Sequence, residues 1–135
     1  MFKQLDDRTL VAGQLSPEQL EEARRQGVTM IVNNRPDGEE PGQPLAAEIQ
    51  RAAEQAGLEY RHIPISRGIG PADVEAMRDA IHASGNGKLL AFCRTGTRST
   101  YAWAVAKRQD GVDPVELQRC AGQAGYDLGP VSHLL

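Results

Sequence analysis

Cys93 is followed directly by Arg94, Thr95, Gly96, Thr97, Arg98 and Ser99. Together these residue types suit one task, the stabilisation of negative charge. A short turn over Arg94–Thr97 can point successive backbone N–H groups inward as a nest. Gly96 allows a backbone conformation that a side chain resists. Arg98 adds a planar, permanently charged fork that matches oxyanions, and Ser99 a hydroxyl within reach of the sulfur. A helix starting behind the loop contributes unsatisfied N–H donors and its positive dipole end. The group at hand to carry the charge is the Cys93 sulfur, and such surroundings lower a thiol pKa from about 8.5 to roughly 3.5–7.5. The expectation is a reactive thiolate at Cys93, with Arg98 and Ser99 as catalytic partners and Arg94, Thr95, Gly96 and Thr97 as the anion-binding loop. The competing reading is an inert buried cysteine at the end of a core strand. That reading leaves the glycine, two threonines, serine and two arginines beside it without a role. Cys120 shares an apolar helix side with Leu117 and Ala121, and reads as core.

Elements that alternate along the chain must position this loop. Thr9 to Ala12 reads as a strand ended by Gly13. Ser16, Pro17 and Gln19 form a helix start with a capping box, and Leu15 and Leu20 stand where a hydrophobic staple places them. Gly27 closes that helix before a buried strand, Val28 to Val32. Asn33 to Pro44 is rich in turn formers. A helix follows from about Pro44 to Ala56, with Leu45, Ile49, Ala52, Ala53 and Ala56 on one stripe and Gly57 as its stop. Leu58 to Ile63 is the next strand, Pro64 to Gly70 a loop, and Pro71 to Ala83 a helix with Val74, Met77 and Ile81 on one face. Lys88 to Phe92 is a short apolar strand ending at Cys93. Ser99 to Arg108 returns to helix, and Asp113-Pro114-Val115-Glu116 opens another that ends near Gly125. Strands separated by helices predict a single α/β domain with a largely parallel sheet covered on both faces. Chemistry in such sheets gathers at the carboxyl ends of the strands, where Cys93 falls.

Composition narrows the function classes. One domain accommodates 135 residues. A formal net charge of −3 argues against general nucleic-acid binding. No apolar run approaches the ~20 residues of a membrane span, and the acidic start after Met1 lacks a signal-peptide core. A cytoplasmic protein is expected, with its two cysteines unpaired. Neither cysteine has metal-ligand spacing and His62, His82 and His133 are scattered, so neither a metal nor another cofactor is expected.

The Cys-to-Arg string resembles the signatures of the tyrosine and dual-specificity phosphatases and of the rhodanese sulfurtransferases. The wider chain is similar to the phosphatase-like domain of the beta-lactamase-hydrolase-like proteins. The similarity runs from Val11-Ala12-Gly13-Gln14-Leu15-Ser16, through Ile31-Val32-Asn33-Asn34-Arg35-Pro36-Asp37-Gly38, to Ala124-Gly125-Tyr126-Asp127-Leu128. It implies a dual-specificity-phosphatase-like fold, with a four- or five-stranded sheet flanked by helices. Members of that family are described both as phosphatase-like and as sulfur transferases.

Two departures from the phosphatase pattern bear on the reaction. Four residues, Arg94 to Thr97, separate Cys93 from Arg98, where the phosphatase signature has five and the rhodanese pattern four. The phosphatase resemblance also places an acid just after Ile63-Pro64-Ile65, and this chain has Ser66 and Arg67 there. Asp73 is the remaining candidate acid, although its place in the first turn of a helix suits a cap. Sulfite, the product of sulfur transfer from thiosulfate, leaves without such an acid. The expected activity is therefore sulfur transfer, from thiosulfate or a small persulfide to a thiol acceptor through a Cys93 persulfide. Arg94, Arg67 and Arg35 would steer the anionic donor, although Arg35 beside Pro36 and Asp37 suits a turn-stabilising role as well. The alternatives are a phosphatase acting on a phosphoester through a phosphocysteine, and a non-enzymatic anion-binding or redox-sensing module. Some relatives carry a fused persulfide-processing hydrolase, which makes a separate enzyme of that kind an expected partner.

Overall fold

The computed structural model describes all 135 residues. Its strands are β1 (Lys3–Asp6), β2 (Thr9–Ala12), β3 (Val28–Asn33), β4 (Glu59–His62) and β5 (Lys88–Phe92). Its helices are α1 (Pro17–Arg25), α2 (Ala46–Gln55), α3 (Pro71–Ala83), α4 (Thr97–Gln109) and α5 (Pro114–Gln123), followed by a 3-10 helix at Gly129–Leu134. The sheet order is β1-β2-β5-β3-β4, with β1 antiparallel to β2 and the other neighbours parallel. The expected α/β architecture with a largely parallel sheet is therefore present, and it has five strands.

Two-residue periodicity sorts the strand side chains between two cores. Val11, Met30, Val32, Leu89 and Ala91 face α3, α4 and α5, around the fully buried Trp103. Leu10, Ala12, Ile31, Leu90 and Phe92 face α1 and α2. Helix α4 runs through the larger core, which explains its unbroken buried stretch Ala102, Trp103, Ala104, Val105 and Ala106. A helix buried nearly all round carries no clean amphipathic stripe.

Three differences from the sequence reading have local causes. Strand β1 is short and polar, and is held by β2 and by Trp103 Nε1 donating to Asp6 Oδ2 at 3.2 Å. Helix α2 starts at Ala46 rather than Pro44, because the Asp37 carboxylate accepts the Ala46 N–H at 2.7 Å and caps it from outside the helix. Helix α4 starts at Thr97, with Gly96 in the left-handed region at φ 88° as the preceding turn. Helix α1 begins as expected, with the Ser16 N–H donating to Gln19 Oε1 at 2.8 Å.

The chain lays down β2, β3 and β4 before β5 enters the gap between β2 and β3. Phe92 at the end of β5 is in register with Ala12 on one side and Asn33 on the other. Asn33 is in turn in register with His62. The loops after four parallel strands thus leave the sheet at one edge, with Cys93 in the middle.

Candidate active site

Cys93 is 1% exposed at the floor of this edge. Its Sγ accepts the Gly96 N–H at 3.1 Å, so the loop closes on its own sulfur. The positive φ of Gly96 turns that N–H inward, and a side chain there would also collide: a Cβ would lie 2.2 Å from the Tyr126 hydroxyl. Tyr126 donates to Thr95 O at 3.0 Å from above the loop. Burial holds the Tyr126 phenol above its ordinary pKa, and the neighbouring Cys93 charge adds to this. Thr100 Oγ1 returns a bond to Gly96 O at 2.8 Å, and the Thr95 and Thr97 hydroxyls bond each other at 3.0 Å. The opposite wall is Gly13, where a Cβ would stand 3.0 Å from Arg94 O.

Arg98 lies beside the sulfur and is held by three bonds. Nη1 donates to Glu39 Oε2 at 2.7 Å and to Ile65 O at 2.6 Å, and Nη2 donates to Glu39 Oε1 at 2.8 Å. The Glu39 carboxylate raises the already high proton affinity of Arg98, and the Cys93 charge raises it further. Arg98 reciprocally holds the Glu39 pKa down at about 2, with Arg35 contributing.

Arg35 departs from its expected steering role. It is 2% exposed, and its guanidinium is spent on Glu39 Oε1, Glu40 Oε1 and Gln14 Oε1 at 3.0, 2.5 and 3.0 Å. These bonds suit the turn-stabilising alternative, with Arg35 bracing the loop that carries Glu39. Ser99 is also corrected. Its buried hydroxyl donates to Asn34 Oδ1 at 2.8 Å instead of reaching the sulfur. Asn34 is a strut, taking Phe92 O at 2.8 Å through its N–H and Ile63 O at 3.0 Å through its amide. Leaving such a buried group unpaired costs about 1–3 kcal/mol, so Asn34 and Ser99 fix β5, the loop after β4 and α4 together.

The Asp73 carboxylate, the candidate acid, accepts the Gly70 N–H at 2.9 Å and caps α3. Arg94 projects outward, 60% exposed, with a 3.5 Å approach to Glu40. Arg67 is exposed on the loop between β4 and α3. The structure thus gathers Cys93, the loop Arg94–Thr97 and Arg98 at one place, sets Arg94 at its rim, and commits Arg35, Ser99 and Asp73 elsewhere. Sequence reasoning missed Glu39, Gln14, Asn34 and Tyr126 as parts of the site. Gln14, Asn34 and Tyr126 lie in the three segments that carry the family resemblance, and that was the available signal. A cavity of about 880 Å³ lies at the other end of the strands, beside Asp6, Arg8, His82 and Cys120. Burial and the adjacent Glu116 carboxylate raise the Cys120 thiol pKa, which suppresses rather than activates it.

A thiol that accepts the Gly96 N–H and lies beside a guanidinium fork can bind a small oxyanion and attack its central atom. The sheet order and a cysteine at the end of the central strand define a cysteine-phosphatase-like α/β domain. Kinase associated phosphatase has this fold, at a TM-score of 0.72 and 16% identity, over 92% of this chain and 82% of that one. A crystal structure from Neisseria meningitidis, described as a candidate phosphatase, superposes with a TM-score of 0.81 at 35% identity, over 98% of this chain and 94% of that one. Residues 1–110 match the phosphatase-like domain of the beta-lactamase hydrolase-like proteins, and the chain belongs to that family. A Beta-lactamase hydrolase-like protein of Xylella fastidiosa (strain Temecula1) is 37% identical over 127 residues, which cover 93% of this chain and 29% of that protein. The chain therefore spans less than a third of the length of this curated relative. No helix is long and apolar enough to cross a membrane.

Proposed function

We propose that this chain is a cysteine-dependent hydrolase of phosphate monoesters, with Cys93 as nucleophile and Arg98 as the phosphoryl-binding cation. The supporting observation is the Cys93 sulfur, 3.1 Å from the Gly96 N–H and beside Arg98, in a chain of phosphatase fold. The sulfur-transfer expectation gains no support from the similar proteins, and this alternative fits them better.

In the first step the Cys93 thiolate attacks phosphorus. The S–P bond forms, the P–O bond to the leaving group breaks, and that oxygen takes the electron pair and afterwards a proton from solvent water. The Gly96 N–H and Arg98 hold the phosphoryl oxygens as charge builds on them. In the second step water attacks phosphorus, the S–P bond breaks with its pair returning to sulfur, and inorganic phosphate departs. Glu39 must yield or share the Arg98 fork when phosphate binds. With a pKa of about 2 it is ionised at neutral pH and has no proton to give the leaving group. Asp73 is committed to its cap. With no carboxylic acid in Pro64–Gly70, the chemistry favours weakly basic leaving groups, hence aryl over alkyl phosphates.

One observation favours sulfur transfer as a second reading: only four residues lie between Cys93 and Arg98. There the thiolate would attack the outer sulfur of thiosulfate, the new S–S bond replacing the bond to departing sulfite. A thiol acceptor, or an enzyme that processes persulfides, would then remove the sulfur. Initial rates with an aryl phosphate, and with thiosulfate plus cyanide, separate the two. Faster aryl-phosphate turnover that vanishes in Cys93→Ser supports the phosphatase. Faster thiocyanate formation with a persulfide on Cys93 (a ~32 Da gain) overturns it.

A further inference from the structure

Successive carbonyls of the Cys93 loop are held from outside it, each by a different element. Arg94 O accepts the Gln14 N–H at 3.4 Å, from the loop after β2. Gly96 O accepts Thr100 Oγ1 at 2.8 Å, from α4. Thr95 O accepts the Tyr126 hydroxyl at 3.0 Å and has no other hydrogen-bond donor. The N–H of that same peptide unit, on Gly96, meets Cys93 Sγ at 3.1 Å. A trans peptide is planar, so its C=O and N–H point in opposite directions. Fixing the carbonyl toward Tyr126 therefore fixes the N–H toward the sulfur. Local geometry leaves that choice open, because glycine accepts φ of either sign. The reversed peptide would aim the Thr95 carbonyl oxygen at the sulfur and repel its charge. Tyr126 is itself placed by the end of α5. Gly125 is left-handed at φ 94°, and the N–H groups of Gly125 and Tyr126 bond Gly122 O and Ala121 O at 3.0 and 2.9 Å. That closing turn, which favours glycine, carries the ring back over the Cys93 loop. Lys3 Nζ, from β1, stands 5.0 Å from the ring centroid.

We propose that Tyr126 is a positioning residue for the Cys93 nucleophile: its hydroxyl orients the Thr95–Gly96 peptide and so keeps an N–H, not a carbonyl, against the sulfur. The inference rests on Cys93 as the attacking group and holds whether a phosphoryl group or sulfur is transferred. Two hydrogen bonds run in series through one peptide, from the Tyr126 hydroxyl to Thr95 O and from the Gly96 N–H to Cys93 Sγ. Bonds in such a chain polarise one another. A polarised N–H favours the ionised sulfur over the thiol. The phenol is suited to this task, since burial and the Cys93 charge hold it above its ordinary pKa and so keep its proton in place. A purely structural bond would instead cost stability when lost and leave the ionisation of the sulfur unchanged.

Ultraviolet thiolate absorbance, titrated from pH 4 to pH 9 and read against the matching Cys93→Ser protein, tests this without any substrate. Tyr126→Phe keeps the ring and removes the hydroxyl. Its Cys93 titration should move to higher pH, with about threefold less thiolate below the midpoint, the size of effect a neutral hydrogen bond supplies. A 3-fluorotyrosine in place of Tyr126 keeps the ring and makes the hydroxyl a stronger donor, so the titration should move to lower pH. The Gly96 amide proton resonance should follow the Cys93 titration in the native protein and lose most of that response in Tyr126→Phe. Superimposable titrations in all three proteins overturn the proposal, even where Tyr126→Phe melts lower, because the bond is then structural only. A fluorotyrosine shift to higher pH overturns it as well, and that protein decides alone if Tyr126→Phe fails to fold. A native Cys93 that stays a thiol up to pH 9 removes the nucleophile assignment and the positioning role with it. The expected shifts in a protein that does not turn over aryl phosphates leave the role standing and remove only the phosphatase reading.

Discussion

Glu39 and Arg98, 59 positions apart in sequence, are joined by two parallel hydrogen bonds of 2.7 and 2.8 Å. The fork that a phosphoryl group would occupy therefore rests on a carboxylate of the same chain. The buried Arg35 donates through Nε to the same Oε1 that accepts Arg98 Nη2, at 3.0 Å. Glu39 belongs to a loop, yet it is as firmly specified as a helix residue, because two guanidinium groups fix it.

Replacing Glu39 by glutamine should change stability in acid. The native carboxyl titrates at about 2 against an ordinary value of 4.5. Its contribution is complete above the higher value and is lost as pH falls toward the lower one. Urea midpoints measured from pH 6 to pH 2 should therefore fall more steeply for the wild type than for Glu39→Gln. Parallel curves would mean that the pair adds nothing to stability. The same variant should bind vanadate several-fold more tightly at neutral pH, since the competing charge is gone.

Cys93→Ser should abolish group transfer without unfolding the protein, because a hydroxyl fits the site but is a far weaker nucleophile. Cys120→Ser should retain most of the activity, since Cys120 belongs to the larger core and its thiol pKa is raised. Steady-state rates and melting temperatures of both proteins are the check. Substantial turnover by Cys93→Ser would end the nucleophile assignment.

Arg98→Lys should lower kcat by about 10²–10³, as expected when a preorganised charge stabiliser is lost. Lysine keeps the charge but cannot hold Glu39 bidentately and Ile65 O at once. A kcat within a few-fold of wild type would reduce Arg98 to a packing role.

Gly96→Ala should destabilise by about 1–3 kcal/mol for the left-handed backbone alone. The collision with the Tyr126 hydroxyl adds to this. Tyr126→Phe removes that hydroxyl and should cost only about 0.5–1.5 kcal/mol for the bond to Thr95 O. In the double variant part of the alanine penalty should be recovered, a non-additivity visible in urea midpoints. Strict additivity would show that the hydroxyl does not press on the loop.

The sequence alone determined what local rules govern. Pro17 and Gln19 start α1, the apolar runs Val28–Val32 and Lys88–Phe92 form the inner strands, and Gly96 marks the turn whose N–H meets the Cys93 sulfur. The composition of Cys93–Ser99 also raised the expectation of an anion loop, because charge and backbone freedom are properties of residues and their immediate neighbours. Strand β1 escaped because four residues with two exposed side chains have no pattern of their own; β2 and Trp103 hold them in place. The partners around the loop escaped for the same reason. Nothing near Ser99 in sequence says that its hydroxyl will meet Asn34, 65 positions away. Nothing near Arg35 says that Gln14, 21 positions away, will take one of its donors and help to bury it. Those assignments were decided when β5 entered between β2 and β3 and brought three distant loops to one edge. Only then did each polar group meet the competing partners that fix its role.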